Sequence, residues 1–251
     1  MQSVDRALEI LSILGSSQTV EFGVTDIAFR MGLNKSTVFG LMSTLQKRGY
    51  IEQNRETKRY RLGIKLFEMG SLVQRRMDVR TEAKPYCQEL SEKYSCTVHV
   101  AAFYDFEVVY IDKVDSPDVV VQYSQLGRRA PMYCTGVGKA ILANLSQEER
   151  ELFYKKVVMQ KYTAKTITTR ESLEKELETI HTCGYAVDDE EIQPGLRCVA
   201  APIFNHQGHP LAAISVSKLL SRITSETQSL IAGDIIGITR QISYKLGYKI
   251  G

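Results

Sequence analysis

Two glycines followed by a lysine form the segment of this 251-residue chain with the clearest potential for binding chemistry, Thr135-Gly136-Val137-Gly138-Lys139-Ala140. A Walker A loop requires glycine at position 133 and serine or threonine at position 140, but Tyr133 and Ala140 stand there. The pattern therefore argues against nucleotide hydrolysis. Glycines at a helix start still present free backbone N–H groups, which suit a carboxylate ligand.

Cysteine and histidine raise a second possibility, a thiol nucleophile or a metal centre. Cys198 lies in an apolar run, and His206 and His209 follow it. However, no histidine pair is spaced i, i+4 and no cysteine pair has ligand spacing. We therefore predict a buried structural or pocket-lining thiol, with no metal, cofactor or catalytic residue. The five scattered cysteines favour reduced thiols over a disulfide framework.

Hydroxyl and carboxylate groups offer a third kind of site. Ser215 and Ser217 are two residues apart on a predicted apolar strand, so both hydroxyls face the same side. Such inward hydroxyls need partners, which are either protein groups or a ligand. The acidic residues 188–191 are mostly typical of a charged turn.

Positive charge is concentrated at the N-terminus. Residues 1–80 hold 13 Lys and Arg against 8 Asp and Glu, a net charge of +5, whereas the remaining residues carry a net charge of −2. This asymmetry suits a polyanion contact confined to the N-terminus, although a solvated basic face is the commoner explanation. Because no apolar run is long enough to span a membrane and no signal core opens the chain, we expect a cytoplasmic protein without a membrane partner.

The N-terminal region has the spacing of a helix-turn-helix. A first helix is followed by a second with a predicted N-cap at Thr25, and a third that opens at residue 34. Ala28 is small enough for a close helix crossing, and Gly32 tolerates the positive φ of a sharp turn. Val38 and Leu41 then complete a small core. An ordinary helical hairpin is the alternative at this point.

The residues after the third helix favour a winged helix over that alternative. Residues 49–52 are extended, residues 54–58 form a polar turn, and residues 59–62 alternate as a second strand. Short polar side chains on the outer face of the third helix and cations on the wing suit base edges and phosphates. The predicted DNA-binding residues are Asn34, Lys35, Ser36, Thr37, Phe39, Ser43, Thr44, Lys47, Arg55, Lys58 and Arg59.

The rest of the chain predicts a linker and a larger domain. A short helix at 63–77 ends in a charged run. Helices at 83–94, 135–145, 147 onward, 170–182 and 224–246 alternate with strands at 97–104, 107–114, 119–124, 185–188, 198–204 and 210–217, and residues 127–131 form a turn. The predicted class is α+β, with a winged helix-turn-helix (1–62), a linker helix (63–80) and a domain on a mainly antiparallel sheet (81–251).

Motifs along nearly the whole chain resemble the IclR family of bacterial regulators. In the head they are Val4-Asp5-Arg6-Ala7-Leu8, Leu33-Asn34-Lys35-Ser36-Thr37-Val38 and Tyr60-Arg61-Leu62-Gly63. In the body they are Gly127-Arg128-Arg129-Ala130-Pro131-Met132, Gly136-Val137-Gly138-Lys139-Ala140, Asp188-Asp189-Glu190-Glu191, Gly195-Leu196-Arg197-Cys198-Val199-Ala200-Ala201-Pro202 and Ala213-Ile214-Ser215-Val216-Ser217.

The resemblance implies a GAF-like effector domain, dimers paired into tetramers, and control of a catabolic operon through operator DNA. Within the family the body is most similar to the acetate-operon and ketodeoxygluconate types of regulator, which implies a small hydroxy- or keto-acid effector. The implied pocket residues are Ala130, Gly136, Val137, Asp188, Cys198, Ser215 and Ser217. One departure is Gly40, because the family usually has arginine there; glycine also costs about 1 kcal/mol relative to alanine inside a helix.

Two other functions are alternatives to a ligand-controlled regulator. An enzyme acting on a small organic acid, with an accessory basic head, lacks a credible nucleophile–base pair in the sequence. A constitutive architectural DNA-binding protein leaves the large, non-basic body unexplained.

Overall fold

The computed structural model describes residues 2–16, 21–74, 78–115 and 124–249. The chain divides into two compact units, Met1–Met77 and Asp78–Gly251. No helix within the described residues is long and apolar enough to cross a membrane.

The first unit is a winged helix-turn-helix, as predicted. Its elements are α1 (Gln2–Ser16), α2 (Val24–Met31), α3 (Lys35–Lys47), β1 (Ile51–Gln53), β2 (Tyr60–Leu62) and α4 (Ile64–Gln74), with β1 and β2 antiparallel. Ile10, Ile27, Val38, Met42 and Ile51 are almost fully buried and bring α1, α2, α3 and the wing into one core. Helical spacing of apolar residues therefore positions the outer face of α3.

The cap of α2 differs from the prediction, because the N-cap is Gly23 and not Thr25. The N–H of Gly23 donates to Asp26 Oδ2 at 3.0 Å, so the carboxylate of the third helical residue holds the helix start. Gly32 ends α2 with a φ of 62°, the left-handed conformation predicted for the turn.

The second unit contains a six-stranded sheet. Its elements are α5 (Asp78–Tyr94), β3 (Thr97–Tyr104), β4 (Glu107–Val114), β5 (Arg129–Pro131), α6 (Gly136–Leu142), α7 (Gln147–Lys156), α8 (Arg170–Cys183), β6 (Ala186–Asp189), β7 (Leu196–Phe204), β8 (Pro210–Leu219) and α9 (Ser225–Lys245). The strand order is β5-β4-β3-β8-β7-β6, and each neighbouring pair is antiparallel. The predicted α+β class is confirmed.

Alternation along the strands separates two cores. Val98, Val100, Ile214 and Val216 belong to one face of the sheet, which packs with residues of α5 and α9. The opposite face packs with α6 and α8. Because successive side chains of a strand point to opposite sides, Ser215 and Ser217 share this second face.

Two local predictions differ from the structure, and a third concerns residues that are mostly not described. α5 begins at Asp78, five residues before the predicted start, because the charged residues of its first turn interrupt the apolar spacing from which a helix is predicted. Arg129–Pro131, predicted as part of a turn, forms edge strand β5, because Ala130 pairs with Val108 of β4, a partner that local sequence does not reveal. The strand predicted at 119–124 lies, except for residue 124, outside the described residues.

Candidate functional site

The outer face of α3 is the first candidate site. All eight of its predicted DNA-binding residues are exposed, and Phe39 is 56% exposed. The opposite face is anchored by Val38 and Met42, which are fully buried, and by the half-buried Leu41. Ala28 of α2 is buried, as a close crossing with α3 requires, and Leu33 N donates to the carbonyl of Ala28 at 3.0 Å to close the end of α2 before the turn. The fold therefore directs the polar face of α3 outward.

The start of α3 has the chemistry of an anion contact. Asn34 is the N-cap in extended conformation, and its side chain makes no capping hydrogen bond. The first turn contains no acidic residue, so the helix N-terminus keeps its positive potential. The backbone N–H groups and the Asn34 carboxamide can therefore meet a phosphate or a base edge.

Gly40 lies on the same face with open space around it. A Cβ atom built at this position meets no atom within 4 Å. Packing therefore does not require glycine here, and the surface of α3 is flat at the position where the sequence departs from the resembled family.

The wing is held in shape by side-chain contacts at its turn. Asn54 Oδ1 accepts hydrogen bonds from the N–H groups of Glu56 and Thr57. Glu21 accepts from Asn54 Nδ2 and from Thr57 Oγ1, each at 2.7 Å, and these hydrogen bonds lower the pKa of Glu21. The turn thereby presents Arg55 and Lys58 to solvent.

The third predicted wing cation is already engaged within the head. Arg59 Nη2 lies 3.0 Å from Asp26 Oδ2, the same oxygen that holds the start of α2. Arg59 thus ties the wing to α2, and any DNA contact from it competes with this exposed ion pair.

The second candidate site lies on the sheet face of the second unit that packs with α6. Asp188 of β6 pairs in register with Cys198 of β7, Cys198 with Ser217 of β8, and Ser217 with Thr97 of β3. Residues directly opposite in an antiparallel pair point to the same face. All four are at least 96% buried, so the strands place a polar row inside an apolar core.

The next row on this face contains Ser215 and His99. Ser215 pairs in register with His99 of β3 and with Ala200 of β7. His99 Nε2 lies 2.6 Å from Ser124 Oγ, and His99 Nδ1 lies 3.3 Å from Ser217 Oγ. Burial lowers the pKa of His99 to about 3, aided by the charge of Lys113, so the ring is neutral.

The sequence left open whether protein groups or a ligand satisfy the inward serine hydroxyls, and the structure shows the partners of Ser217. Its hydroxyl donates to Cys198 Sγ at 3.1 Å, which leaves its oxygen to accept from His99 Nδ1. In that arrangement His99 Nε2 accepts from the Ser124 hydroxyl. Protein groups therefore satisfy Ser217 in this structure.

The glycines in the first turn of α6 are explained by the close approach of this helix to the sheet and to the preceding loop. A Cβ at Gly136 would lie 3.3 Å from Ala200 Cβ and 3.5 Å from Cys198 Cβ, so α6 starts directly over β7. A Cβ at Gly138 would lie 2.3 Å from Met132 Cα, a separation that real Cβ atoms do not reach. Val137, beside them, is buried.

Ala130 lies away from the polar residues of β6, β7 and β8. It lies in edge strand β5, separated from β8 by β4 and β3, and shares the buried core of this face with Val137. Of the seven predicted pocket residues, five therefore lie in or directly over the strands β6, β7 and β8.

Lys139, which follows Gly138, forms a buried ion-pair cluster. Its side chain is fully buried, and Nζ donates to Glu191 Oε1 at 2.5 Å and to Glu176 Oε1 at 2.8 Å. Burial opposes the charge of Lys139, but the two carboxylates outweigh it and raise the pKa of Lys139. The lysine is therefore a structural cation that fixes the loop after β6.

That loop places Asp188 in an unusual environment. Asp188 Oδ1 accepts from the N–H of Glu191 at 2.8 Å, whereas the buried Oδ2 has no hydrogen-bond partner among the described residues. Burial, together with the charge of Glu191, raises the pKa of Asp188 to about 7, since the backbone N–H groups of Glu191 and Ile192 and the charge of Lys139 compensate only in part. By contrast, Asp189 and Glu190 form exposed ion pairs with Lys165, as expected of a charged turn.

Sequence reasoning missed His99, Thr97 and the Lys139 cluster. A signal for the first two existed, because polar residues alternate with valines in the run Thr97-Val98-His99-Val100, as Ser215 and Ser217 alternate in β8. No comparable signal links Lys139 to Glu176 and Glu191, which are 37 and 52 residues away.

His209, which follows Cys198 in the sequence, pairs with another residue. His209 Nε2 contacts Glu149 Oε1 at 2.8 Å, whereas Cys198 contacts Ser217. Within the part of the chain that the structure describes, no group of three or more His, Cys, Asp and Glu residues could hold a metal ion.

A winged helix-turn-helix joined to a sheet domain with a buried polar site defines a class of DNA-binding regulators. Two family models match the chain: the IclR helix-turn-helix domain over residues 3–55, and the bacterial transcriptional regulator IclR C-terminal domain over residues 71–244. The chain therefore belongs to the IclR family of bacterial transcriptional regulators.

Individual proteins agree with this assignment. The chain is 38% identical to the HTH-type transcriptional regulator XynR of Escherichia coli, covering 99% of this chain and 98% of the relative. It is 30% identical to the transcriptional repressor IclR of Escherichia coli, covering 98% and 90%. The crystal structure of Thermotoga maritima IclR is similar with a TM-score of 0.81 and 35% identity, covering 99% and 100%. The prediction of a DNA-binding regulator rather than an enzyme is confirmed.

Proposed function

We propose that the chain is a repressor of a catabolic operon and that a small organic acid controls its binding to operator DNA. In this proposal residues 1–62 bind DNA, residues 63–80 form the linker between the two domains, and residues 81–251 bind the effector. The protein acts in the cytoplasm. The observation that carries the proposal is the exposed polar face of α3, held outward by a buried core on a chain of this family.

In this proposal α3 enters the major groove. Asn34, Lys35, Ser36 and Thr37 contact phosphates and base edges from its first turn, and Phe39, Ser43, Thr44 and Lys47 extend the contact along the helix. Arg55, Lys58 and Arg59 hold the flanking backbone through the wing. A homodimer or a dimer of dimers presents two such heads to the half-sites of an operator.

The effector site combines the seven predicted residues with those that the structure adds. Gly136 and Val137 offer N–H groups to a carboxylate, and Ser215 and Ser217 offer hydroxyls. Asp188, Cys198 and Ala130 line the rest, with His99 behind Ser217. A keto-acid or sugar acid fits this chemistry, because it presents one carboxylate and neighbouring oxygen atoms to short donors.

DNA binding is tested first. Fragments of the encoding organism's genome are captured by the purified full chain and sequenced, and affinity for the recovered operator is measured with Thr37→Ala and Lys35→Ala. We expect each to weaken binding at least several-fold, whereas the matched control Lys84→Ala, an exposed lysine of α5, leaves affinity unchanged. Equal behaviour of Lys35→Ala and Lys84→Ala would reject the assigned interface.

Effector binding is tested by thermal-shift measurements on the same full chain with glyoxylate, pyruvate, sugar acids and aromatic acids. A true effector raises the melting temperature in proportion to the logarithm of its concentration once that exceeds the dissociation constant. Ser215→Ala is expected to reduce this shift. A melting temperature unaffected by every acid would reject control by an organic acid.

A further inference from the structure

Asp188 is a buried carboxyl group with one oxygen unsatisfied. It is 1% exposed, Oδ1 accepts from Glu191 N, and Oδ2 has no partner among the described residues. Buried polar atoms in folded proteins normally have partners, and an exception calls for a ligand or a change of protonation. Because Asp188 lies in register with Cys198, and Cys198 with Ser217, the unsatisfied group belongs to the proposed effector site.

The charges around Asp188 are unfavourable for a second anion. The titratable groups that face it are Glu191 after β6, Lys139 of α6, Cys134 before α6, Cys198 of β7 and Tyr110 of β4, and Glu176 of α8 joins this cluster through its ion pair with Lys139. Burial raises the pKa of Cys134 and of Tyr110, so both are neutral. Lys139 is thus the one cation in this described group, and its Nζ is shared by Glu191 and Glu176.

An ionised Asp188 would therefore leave this cluster with three carboxylates against one ammonium group. A carboxylate effector would add a further negative charge beside them, at a depth where water screens little. A proton on Asp188 removes one of these charges. It also converts Oδ2 from an unsatisfied acceptor into a donor, which is the group that a carboxylate or keto oxygen requires.

We propose that Asp188 is protonated in the effector complex and donates a hydrogen bond from Oδ2 to the bound acid, so that binding of the organic anion takes up one proton from solvent. This inference rests on the proposed function, since it assigns the protonation of the same site. An ionised Asp188, by contrast, could only accept a hydrogen bond, for example from an effector hydroxyl.

In the free protein Asp188 already takes up a proton readily near neutral pH. Burial raises the pKa of Asp188 to about 7, so protonation at neutral pH requires little free energy. His99 stays neutral throughout this range, because burial lowers its pKa to about 3. His99 therefore does not titrate between pH 6 and pH 8, and Asp188 is the group that we propose to titrate there.

The test is isothermal titration calorimetry on the full chain with pyruvate and with glyoxylate, at pH 6, 7 and 8, in buffers of different ionisation enthalpy. With a free-state pKa of about 7 and a protonated complex, the dissociation constant should be about tenfold larger at pH 8 than at pH 6. The buffer dependence of the binding enthalpy at pH 8 should correspond to uptake of nearly one proton.

Two variants separate protonation from simple loss of a contact. Asp188→Asn carries a neutral donor at every pH, so its affinity should become independent of pH between 6 and 8. Asp189→Asn is the matched control, because Asp189 pairs with Lys165 and Arg197 outside the polar row, and it should keep the tenfold change. Thermal unfolding without acid checks that both variants fold; if Asp188→Asn does not, the proton count of the unaltered chain decides.

The outcomes distinguish the two proposals. Affinity that is constant or increases from pH 6 to pH 8, with no proton taken up, would overturn protonation of Asp188 while leaving effector binding intact. Absence of heat and of thermal stabilisation with every acid at all three pH values would overturn the proposed function, and this inference with it.

Discussion

Replacement of Lys139 by methionine tests the buried ion-pair cluster that positions Asp188. Lys139→Met keeps the length of the side chain but removes the cation that Glu191 and Glu176 share. Glu176 is partly exposed and can be hydrated, whereas the Glu191 side chain is only 6% exposed. Breaking a buried pair by removing one partner costs about 3–5 kcal/mol, because an uncompensated charge remains.

That cost should appear in the melting temperature of the second unit. For a unit of this size, 1 kcal/mol corresponds to about 2–4 °C, so Lys139→Met should melt roughly 10 °C lower. Differential scanning calorimetry of the full chain measures the transition. The double variant Lys139→Met, Glu191→Gln is the control, since it removes both charges, and it should recover most of the loss.

The same loss should depend on pH. Burial raises the pKa of Glu191 above its ordinary value in the folded chain, and loss of Lys139 raises it further. A raised carboxyl pKa destabilises the folded state fully above that folded-state pKa, and the penalty disappears as pH falls toward the ordinary value of 4.5. Lys139→Met should therefore be more destabilised at pH 8 than at pH 5. A melting temperature within 2 °C of the unaltered chain at pH 8 would refute the structural role of the cluster.

Four further variants test other parts of the structure. Gly40→Ala should stabilise the first unit by about 1 kcal/mol in urea unfolding, because the added methyl group meets nothing within 4 Å. Gly138→Ala should destabilise the second unit by about 3 kcal/mol or more in calorimetry, because its Cβ would lie 2.3 Å from Met132 Cα. Lys35→Ala should lower the slope of log affinity against log salt by about 0.9, measured by fluorescence anisotropy on operator DNA. Asp188→Asn should gain stability relative to the unaltered chain as pH rises from 5 to 8, by roughly 2–3 kcal/mol in urea unfolding, because the raised pKa of Asp188 penalises only its ionised form.

Much of the fold was predictable because the rules that determine it act over a few residues. Gly32 and Gly184 end their helices in the left-handed conformation, and Ser146 and Glu149 form a capping box at the start of α7, a pattern that spans only four residues. Strands β3 and β4 occupy the predicted residues because apolar side chains alternate along them. Each of these signals lies within one helical turn or one strand.

The contacts within the candidate site were less predictable because they join distant parts of the chain. Ser217 and His99 are 118 residues apart, and only the register between β3 and β8 brings their side chains together. The Asp188 environment depends similarly on Lys139 reaching the loop after β6 from α6. Sequence patterns identify buried polar side chains, but not which of them satisfy one another.

The same distinction explains the outcome for the DNA-binding face. Helical spacing separates the buried Val38 and Met42 from the exposed side of α3, so exposure of the polar residues followed from the sequence. The ion pair of Arg59 with Asp26 did not, because it depends on how the wing folds back toward α2. Which exposed residues touch bases and which touch phosphates stays a prediction.

The most direct test of acid-controlled DNA binding is to measure whether the binding of operator DNA and the binding of the organic acid are thermodynamically linked. Operator affinity of the full chain is measured by fluorescence anisotropy at fixed salt and pH, without acid and with acid at concentrations that calorimetry shows to be saturating. We predict a change in the DNA dissociation constant of about 5- to 150-fold, mirrored by an equal change in acid affinity when DNA is bound. Superimposable DNA-binding curves with and without a saturating acid would contradict the account.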